Sequence, residues 1–484
     1  MKPANFPPRT LLWDRGSVWD PIVRVLAENG ICEVVLRFAF DQEGTHHPHP
    51  FYSGHFINPE YQGGGQEIYA KVCGAFPIFM DMNCRNSGYD TTDYYNEKTF
   101  HDHLNVFNGL FDYFHSLLRT NQVDLVLYSR PPHLGADYLL YVIAHHMGIR
   151  CVFLYQSLFP RKYFFGHQLE DFGDFDNVPQ LHEPRDFSIE RGHKNEWFYM
   201  RNVGMSFLVE YIKRTARRLS DTDTRMETLR NLLAPHKYCW FVGAAMERRP
   251  GTRFFKDLCD IDMRGQALFR YQNERRYRRN LRRAIVRDVR LGVDYVYFPL
   301  HLQPEATTSA LGGIYCDQAL AIERLSKFIP KNWVIYIKEN PKQNSTMRGP
   351  WFFARLKAIK NAVFVPTETS SFELTEHCRF VATITGTAGW EAISGGKNTL
   401  VFGRAWFKNL PGVFSFDEHS TLRELIEYKI NHTELEASVS RLQARMGDGV
   451  IDSGFLEVTP DFDEEVNATV VAASLQKFLS LSPT

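Results

Sequence analysis

No apolar run in this chain reaches the ~18 residues of a membrane-spanning helix. The start, M-K-P-A-N-F-P-P-R, lacks a hydrophobic signal region, so a cytoplasmic protein is expected. There is no C-x-x-C. The 8 cysteines are scattered, and several, such as Cys151 and Cys239, sit inside apolar runs. That speaks against a zinc site or a disulfide framework and points to buried, reduced thiols. Neither charge is in excess: Lys plus Arg and Asp plus Glu are 56 each, so global charge makes no case for nucleic acid. What is abundant is aromatic, with 38 Phe and 22 Tyr among 484 residues. Such side chains build large cores and, at a site, stack on sugars or bases. A chain this long exceeds one core and divides into two or three domains.

Strand and helix patterns alternate from the start: a strand over 10–13, a helix over 18–28, a strand over 31–38. A long loop, 46–65, follows. Its His46-His47-Pro48-His49 cluster reads either as surface histidine or as metal ligands. Leu104, Phe107, Phe111, Phe114 and Leu118 recur at helical spacing and predict a helix over 97–118. A strand over 124–128, a helix over 135–147 and a strand over 150–155 come next. The stretch 159–177 has no clear period, and its Asp171, Asp174 and Asp176 fit no metal motif. Residues 196–290 read as mainly helical, with ten arginines between Arg264 and Arg290. These make either a solvated helix or a contact with an anionic membrane surface or glycan. No nucleic-acid motif accompanies them.

The last third is more regular. Strands over 294–298, 333–337, 362–365, 380–385 and 399–402 alternate with helices over 317–328, 350–359 and 370–377 and a short one after Thr387. Such alternation implies a parallel sheet wound on both faces. The expected fold is α/β: two Rossmann-like domains facing across a cleft, with a helical linker region. Residues 1–195 form the N-terminal α/β domain, on the acceptor side; 196–290 form the Arg-rich linker. Residues 291–484 form the nucleotide-sugar domain, and a helix over 466–479 is placed to pack back across both.

Ligands of open α/β sheets bind beyond the carboxyl ends of the strands. Three loops converge there: His301-Leu302-Gln303-Pro304-Glu305 through Ser309, Lys338-Glu339-Asn340-Pro341, and Thr385-Gly386-Thr387-Ala388-Gly389 with Glu391. The glycine turn feeds a helix N-terminus, which suits either an anion or an ordinary strand–helix turn. Lys338 and the free N–H groups suit a phosphate, hydroxyls suit a sugar, and a carboxylate suits acid/base or nucleophilic work. Glu305 is the candidate for that carboxylate. His301, Gln303 and Ser309 are expected to shape the sugar pocket, and Lys338, Asn340, Thr387 and Gly389 to bind the donor. Glu339 and Glu391 fit either the site or the structure around it. In the first domain, His133 and Asp137 follow a strand and are candidates for the acceptor side. No metal is required on this reading, because a helix N-terminus and a lysine can offset a leaving phosphate.

P-L-H-L-Q-P-E-A-T-T-S (299–309), Y-I-K-E-N-P (336–341), T-G-T-A-G-W-E-A-I-S-G-G-K (385–397) and V-F-G (401–403) resemble the capsule polysaccharide biosynthesis family, which includes bacterial Kdo transferases. D-L-V-L-Y-S-R-P-P-H-L-G-A-D-Y-L-L-Y (124–141) is similar to that group's N-terminal half. The resemblance implies a GT-B type glycosyltransferase. Its donor would be a CMP-activated ulosonic acid, Kdo or a relative, held by the C-terminal domain, with a glycan or glycolipid acceptor on the N-terminal one. It implies retention of configuration. With the arginine run Arg264–Arg290, a cytoplasmic protein peripheral at the inner membrane face is expected. Asn340 stands where the family usually has a His near the nucleotide phosphate, and Gln303-Pro304-Glu305 where the Kdo transferases carry an Asp-bearing loop. The alternatives are a UDP-sugar transferase or epimerase on the same fold, and a non-catalytic carbohydrate-binding assembly protein.

Overall fold

A computed structural model describes residues 7–38 except 15, 64–83, 100–189 except 171, and 261–481 except 287, 304, 342, 344, 418 and 460. The histidine cluster at 46–49, Asp171 and the stretch 196–260 lie outside the described residues.

The first lobe is built on β1 (Arg9–Trp13), α1 (Trp19–Glu28), β2 (Glu33–Phe38), α2 (Gln66–Val72), α3 (Phe76–Asn83), α4 (Phe100–Thr120), β3 (Leu125–Tyr128), α5 (Gly135–His146), β4 (Arg150–Gln156) and β5 (Lys162–Gly166). Its sheet runs β2-β1-β3-β4-β5, and the first four strands are parallel. Strand β5 pairs antiparallel with β4. Tyr163, Phe164 and Phe165 are all buried, so this strand has no polar face and no alternation to betray it. Trp13, Phe38 and Phe114 pack together under the sheet, which is why α4 carries a phenylalanine stripe.

Helix α6 (Ile261–Ala284) leads into the second lobe. There follow β6 (Tyr295–Pro299), α7 (Ala306–Ser309), α8 (Gln318–Phe328), β7 (Val334–Lys338), α9 (Pro350–Ala358), β8 (Ala362–Phe364), α10 (Ser371–His377), β9 (Val381–Thr383), α11 (Ala388–Ser394), β10 (Thr399–Val401) and β11 (Val413–Ser415). The sheet order is β8-β7-β6-β9-β10-β11, parallel throughout. Counted from β6 this is the 3-2-1-4-5-6 order of dinucleotide-binding sheets, with its reversal between β6 and β9. Alternation along the strands divides the core: Val296, Phe298, Ile335 and Ile337 pack in one cluster, Tyr295, Tyr297 and Tyr336 in another. Caps set the helix starts. The Asp317 carboxylate accepts the Leu320 N–H at α8, and Ser370 Oγ accepts the Glu373 N–H at α10.

The chain then returns through α12 (Leu422–Glu427), α13 (His432–Gln443), β12 (Gly447–Asp448) and α14 (Glu464–Leu481). Strand β12 joins the first sheet beside β5, α14 packs on α1, and Trp19 Nε1 donates to the Ile451 carbonyl at 3.0 Å. Phe159 and Phe164 of the first lobe meet Trp406 of the second, and Phe159 also meets Trp390. These buried aromatic contacts pack the two lobes against each other.

Candidate functional site

Both sheets reverse direction where their candidate residues lie. In the first, β1 and β3 are adjacent and their following connections diverge; His133 is in the loop after β3. In the second, the loops after β6 and β9 diverge, and they carry His301 to Glu305 and Thr385 to Thr387. The crevices opened at these two points face each other. His133 Nδ1 lies 3.5 Å from Glu305 Oε2, both side chains partly exposed, an ion pair whenever the imidazole is protonated.

Each partner is held by its own loop. The Asp137 carboxylate accepts the backbone N–H groups of His133 at 2.8 Å and Leu134 at 2.7 Å. This reach of Asp137 back to the N-cap backbone turns the chain out of β3 and into α5. Burial pushes the Asp137 carboxyl up to about 6, against the pull of those N–H groups and the Arg130 charge. Glu305 caps α7 with its main chain, its carbonyl accepting the Thr308 and Ser309 N–H groups.

Most other candidates turn their polar atoms inward. The Thr383 hydroxyl oxygen accepts the Gly386 N–H at 3.2 Å and is hydrogen-bonded to His301 Nε2 at 2.7 Å. Burial, with help from the Arg348 charge, holds His301 down at about 4, a neutral ring. Gln303 has no idle main-chain group. Its N–H donates to Gln343 Oε1 at 2.9 Å, and its carbonyl accepts from Gln343 Nε2 at 3.0 Å. Its side chain donates to the Cys316 carbonyl and accepts from Gln318 and Arg348. Glu339, 2% exposed, pairs with Arg348 at 3.1 Å and accepts the Asn340 N–H. Thr385 donates to the Thr307 carbonyl, and Glu391 is buried near Lys338 and Tyr297. Ser309 is buried against α7's neighbour α3, where Asp81 faces it and Gln303. Burial raises the Asp81 carboxyl, and those two side chains and the Arg348 charge offset part of that penalty.

The expected phosphate cradle has a different local use. A Cβ on Gly389 would stand 2.6 Å from the Phe407 ring and 2.9 Å from Thr399 Cγ2. One on Gly386 would stand 2.8 Å from His301 Nε2. The close approaches here are thus made by the protein's own side chains. Thr387 sits at the start of α11, exposed, but its hydroxyl caps nothing. Lys338 Nζ donates to the Thr369 carbonyl and to Ser371 Oγ, both at 2.7 Å. Burial lowers it to about 8, although Glu368 and Glu391 favour its charge. Asn340 is half-buried beside Glu339.

Sequence reasoning did not find Arg348, Gln318, Gln343 or Asp81. Arg348 follows a short turn, outside any periodic segment, and its partners are far off in sequence. Among the described residues no cluster of three or more His, Cys, Asp or Glu could hold a metal. None of the described helices is long and apolar enough to cross a membrane.

Two α/β lobes, one sheet mostly and the other wholly parallel, each offering the loops of its reversal point to a shared crevice, define a protein of the GT-B architecture. Residues 303–440 match the family described as capsule polysaccharide biosynthesis protein. No curated protein matches the chain. Among solved structures it is similar to Thermosulfurimonas dismutans KpsC, beta Kdo 2,7 transferase, at 16% identity and TM-score 0.25, over 39% of this chain and 56% of that one. The KpsC beta Kdo 2,4 transferase of the same organism gives 13%, 0.23, 38% and 59%. UDP-GlcNAc 2-epimerase from Neisseria meningitidis gives 12%, 0.24, 97% and 100%. The chain spans a little over half the length of the KpsC structures it matches.

Proposed function

We propose that this protein is a glycosyltransferase of bacterial surface-polysaccharide synthesis. It transfers Kdo or a related ulosonic acid from a CMP-activated donor to a glycan or glycolipid acceptor. The observation that carries the reading is the meeting of Glu305 and His133 from opposite sheets, beyond the carboxyl ends of their strands. The match of residues 303–440 to the capsule polysaccharide biosynthesis family supports the process.

On this reading an acceptor hydroxyl enters beside His133 and attacks the anomeric carbon of the donor. The bond from that carbon to the nucleotide phosphate breaks, and the phosphate leaves with the electron pair. Glu305 either takes the proton of the attacking hydroxyl or, as nucleophile, first displaces the phosphate to form the bond to the sugar and is then itself displaced by the acceptor hydroxyl, whose proton the freed carboxylate takes. Gly386, Thr387 and Asn340 line the donor side, while His301, Gln303, Ser309, Glu339, Thr385 and Glu391 shape the loops from beneath. No metal takes part, and transfer is expected to survive EDTA. Peripheral attachment to an anionic membrane face uses the arginines of α6.

A thermal-shift screen with CMP, CDP, UDP, UMP and GDP tests the donor. A ligand that binds only the folded state raises Tm. A shift with CMP alone supports the proposal. A shift with UDP instead favours a UDP-sugar transferase or epimerase, and silence with all five favours a non-catalytic carbohydrate-binding protein.

A further inference from the structure

We propose that Arg348 is a positioning residue that fixes where Glu305 stands in the cleft. The inference rests on the reading of Glu305 as the catalytic carboxylate.

Arg348 is a charged side chain with only 1% of its surface exposed. Its guanidinium reaches three acceptors in different directions. Nε donates to Glu339 Oε2 at 3.1 Å, Nη1 to Gln303 Oε1 at 3.2 Å, and Nη2 to the His301 carbonyl at 2.9 Å. Phe352 covers it, the ring centroid 4.7 Å from the guanidinium carbon. A planar fork suits this task; an ammonium would not reach three divergent acceptors from one position.

What Arg348 grips is the irregular stretch between β6 and α7. Two glutamines complete the grip. Gln318 accepts the His301 N–H at 2.8 Å and donates to the His301 carbonyl at 3.2 Å, and Gln343 does the same for Gln303 at 2.9 and 3.0 Å. Two residues beyond Gln303 comes Glu305, with its carboxylate at the opening and 3.5 Å from His133. The same guanidinium holds Glu339, so the loops after β6 and β7 are tied to one group.

Replacing a buried ion pair by apolar or neutral groups of similar shape is often neutral for stability, whereas removing one partner is costly. The test therefore pairs Arg348→Met with Glu339→Gln, which keeps an acceptor for the Asn340 N–H. Three readouts are taken on the full chain: Tm, the Tm shift given by CMP, and kcat and KM for sugar transfer from CMP-Kdo. The double variant is expected to melt within roughly 2–4 °C of the parent, a small change for lobes of this size. It should keep the CMP shift and its KM while losing kcat by about 100-fold, since a misplacement near 1 Å costs that much. A stable double variant with parental kcat overturns the proposal. Should the double variant fail to fold, Arg348→Lys decides: parental kcat overturns, and loss of kcat with an intact CMP shift supports. Glu305→Gln runs alongside. If it transfers as well as the parent, the catalytic reading falls and takes this inference with it. If it is inactive while the Arg348 variants are not, the positioning claim alone falls.

Discussion

Glu305 and His133 come from different sheets and stand 3.5 Å apart, Oε2 to Nδ1. Their separation is set less by the two side chains than by what grips their loops: Asp137 under His133, and Arg348 with Gln318 and Gln343 under Glu305. The account therefore predicts loss of function from residues that never reach the cleft.

Asp137→Asn is the first case. An amide can accept from one of the two N–H groups but turns its NH2 toward the other. One buried N–H is then left unmade, a loss of about 1–3 kcal/mol. Chemical denaturation measures that loss. Transfer activity is expected to fall with it, because His133 leaves its place opposite Glu305.

The two glycines of the turn before α11 give a second. Gly389→Ala drives a methyl into Phe407 and Thr399, and Gly386→Ala drives one into His301. Overpacking of this kind costs about 1–3 kcal/mol. Both variants should melt early without any ligand present. Parental Tm with lost nucleotide binding would mean that these glycines serve a ligand and not the packing.

Lys338 makes stability depend on pH. Its folded value of about 8 lies below the ordinary 10.5, so between these the unfolded chain binds more protons than the native one. Stability must then rise with pH across that window, with a slope approaching about 1.4 kcal/mol per pH unit. Lys338→Met removes this contribution. Urea titrations at pH 8, 9 and 10 should show the parent gaining on the variant, and parallel lines would refute the assignment.

The arginines of α6 divide in two. Arg278 pairs with Glu274 at 2.9 Å, whereas Arg275, Arg276, Arg279, Arg282 and Arg283 lie exposed. Glutamate at 275, 279, 282 and 283 should release the protein from vesicles rich in anionic lipid, and the Tm should stay near the parent's. Unchanged cosedimentation would remove the membrane claim.

Five of the six strands of the second sheet were legible in the sequence as short β-branched and aromatic runs between helices punctuated by Asp317 and Ser370; β11, Val413–Ser415, was not. Strand β5 was not, since Lys-Tyr-Phe-Phe-Gly is apolar on both faces. The site divides the same way. Glu305 and His133 could be singled out as polar residues in loops after strands. The task of Gln303 could not, because its partners Gln318, Gln343 and Arg348 lie 15, 40 and 45 positions away. Lys338 looked free for a phosphate, and only the fold brings Thr369 and Ser371 against it.

The most direct test of the central claim is single-turnover sugar transfer from CMP-Kdo to a glycan acceptor, parent against Glu305→Gln. The account predicts transfer by the parent and a loss of about 100-fold or more in the variant, the range of a positioned acid/base group, with the CMP thermal shift retained. Equal rates in the two proteins would contradict it.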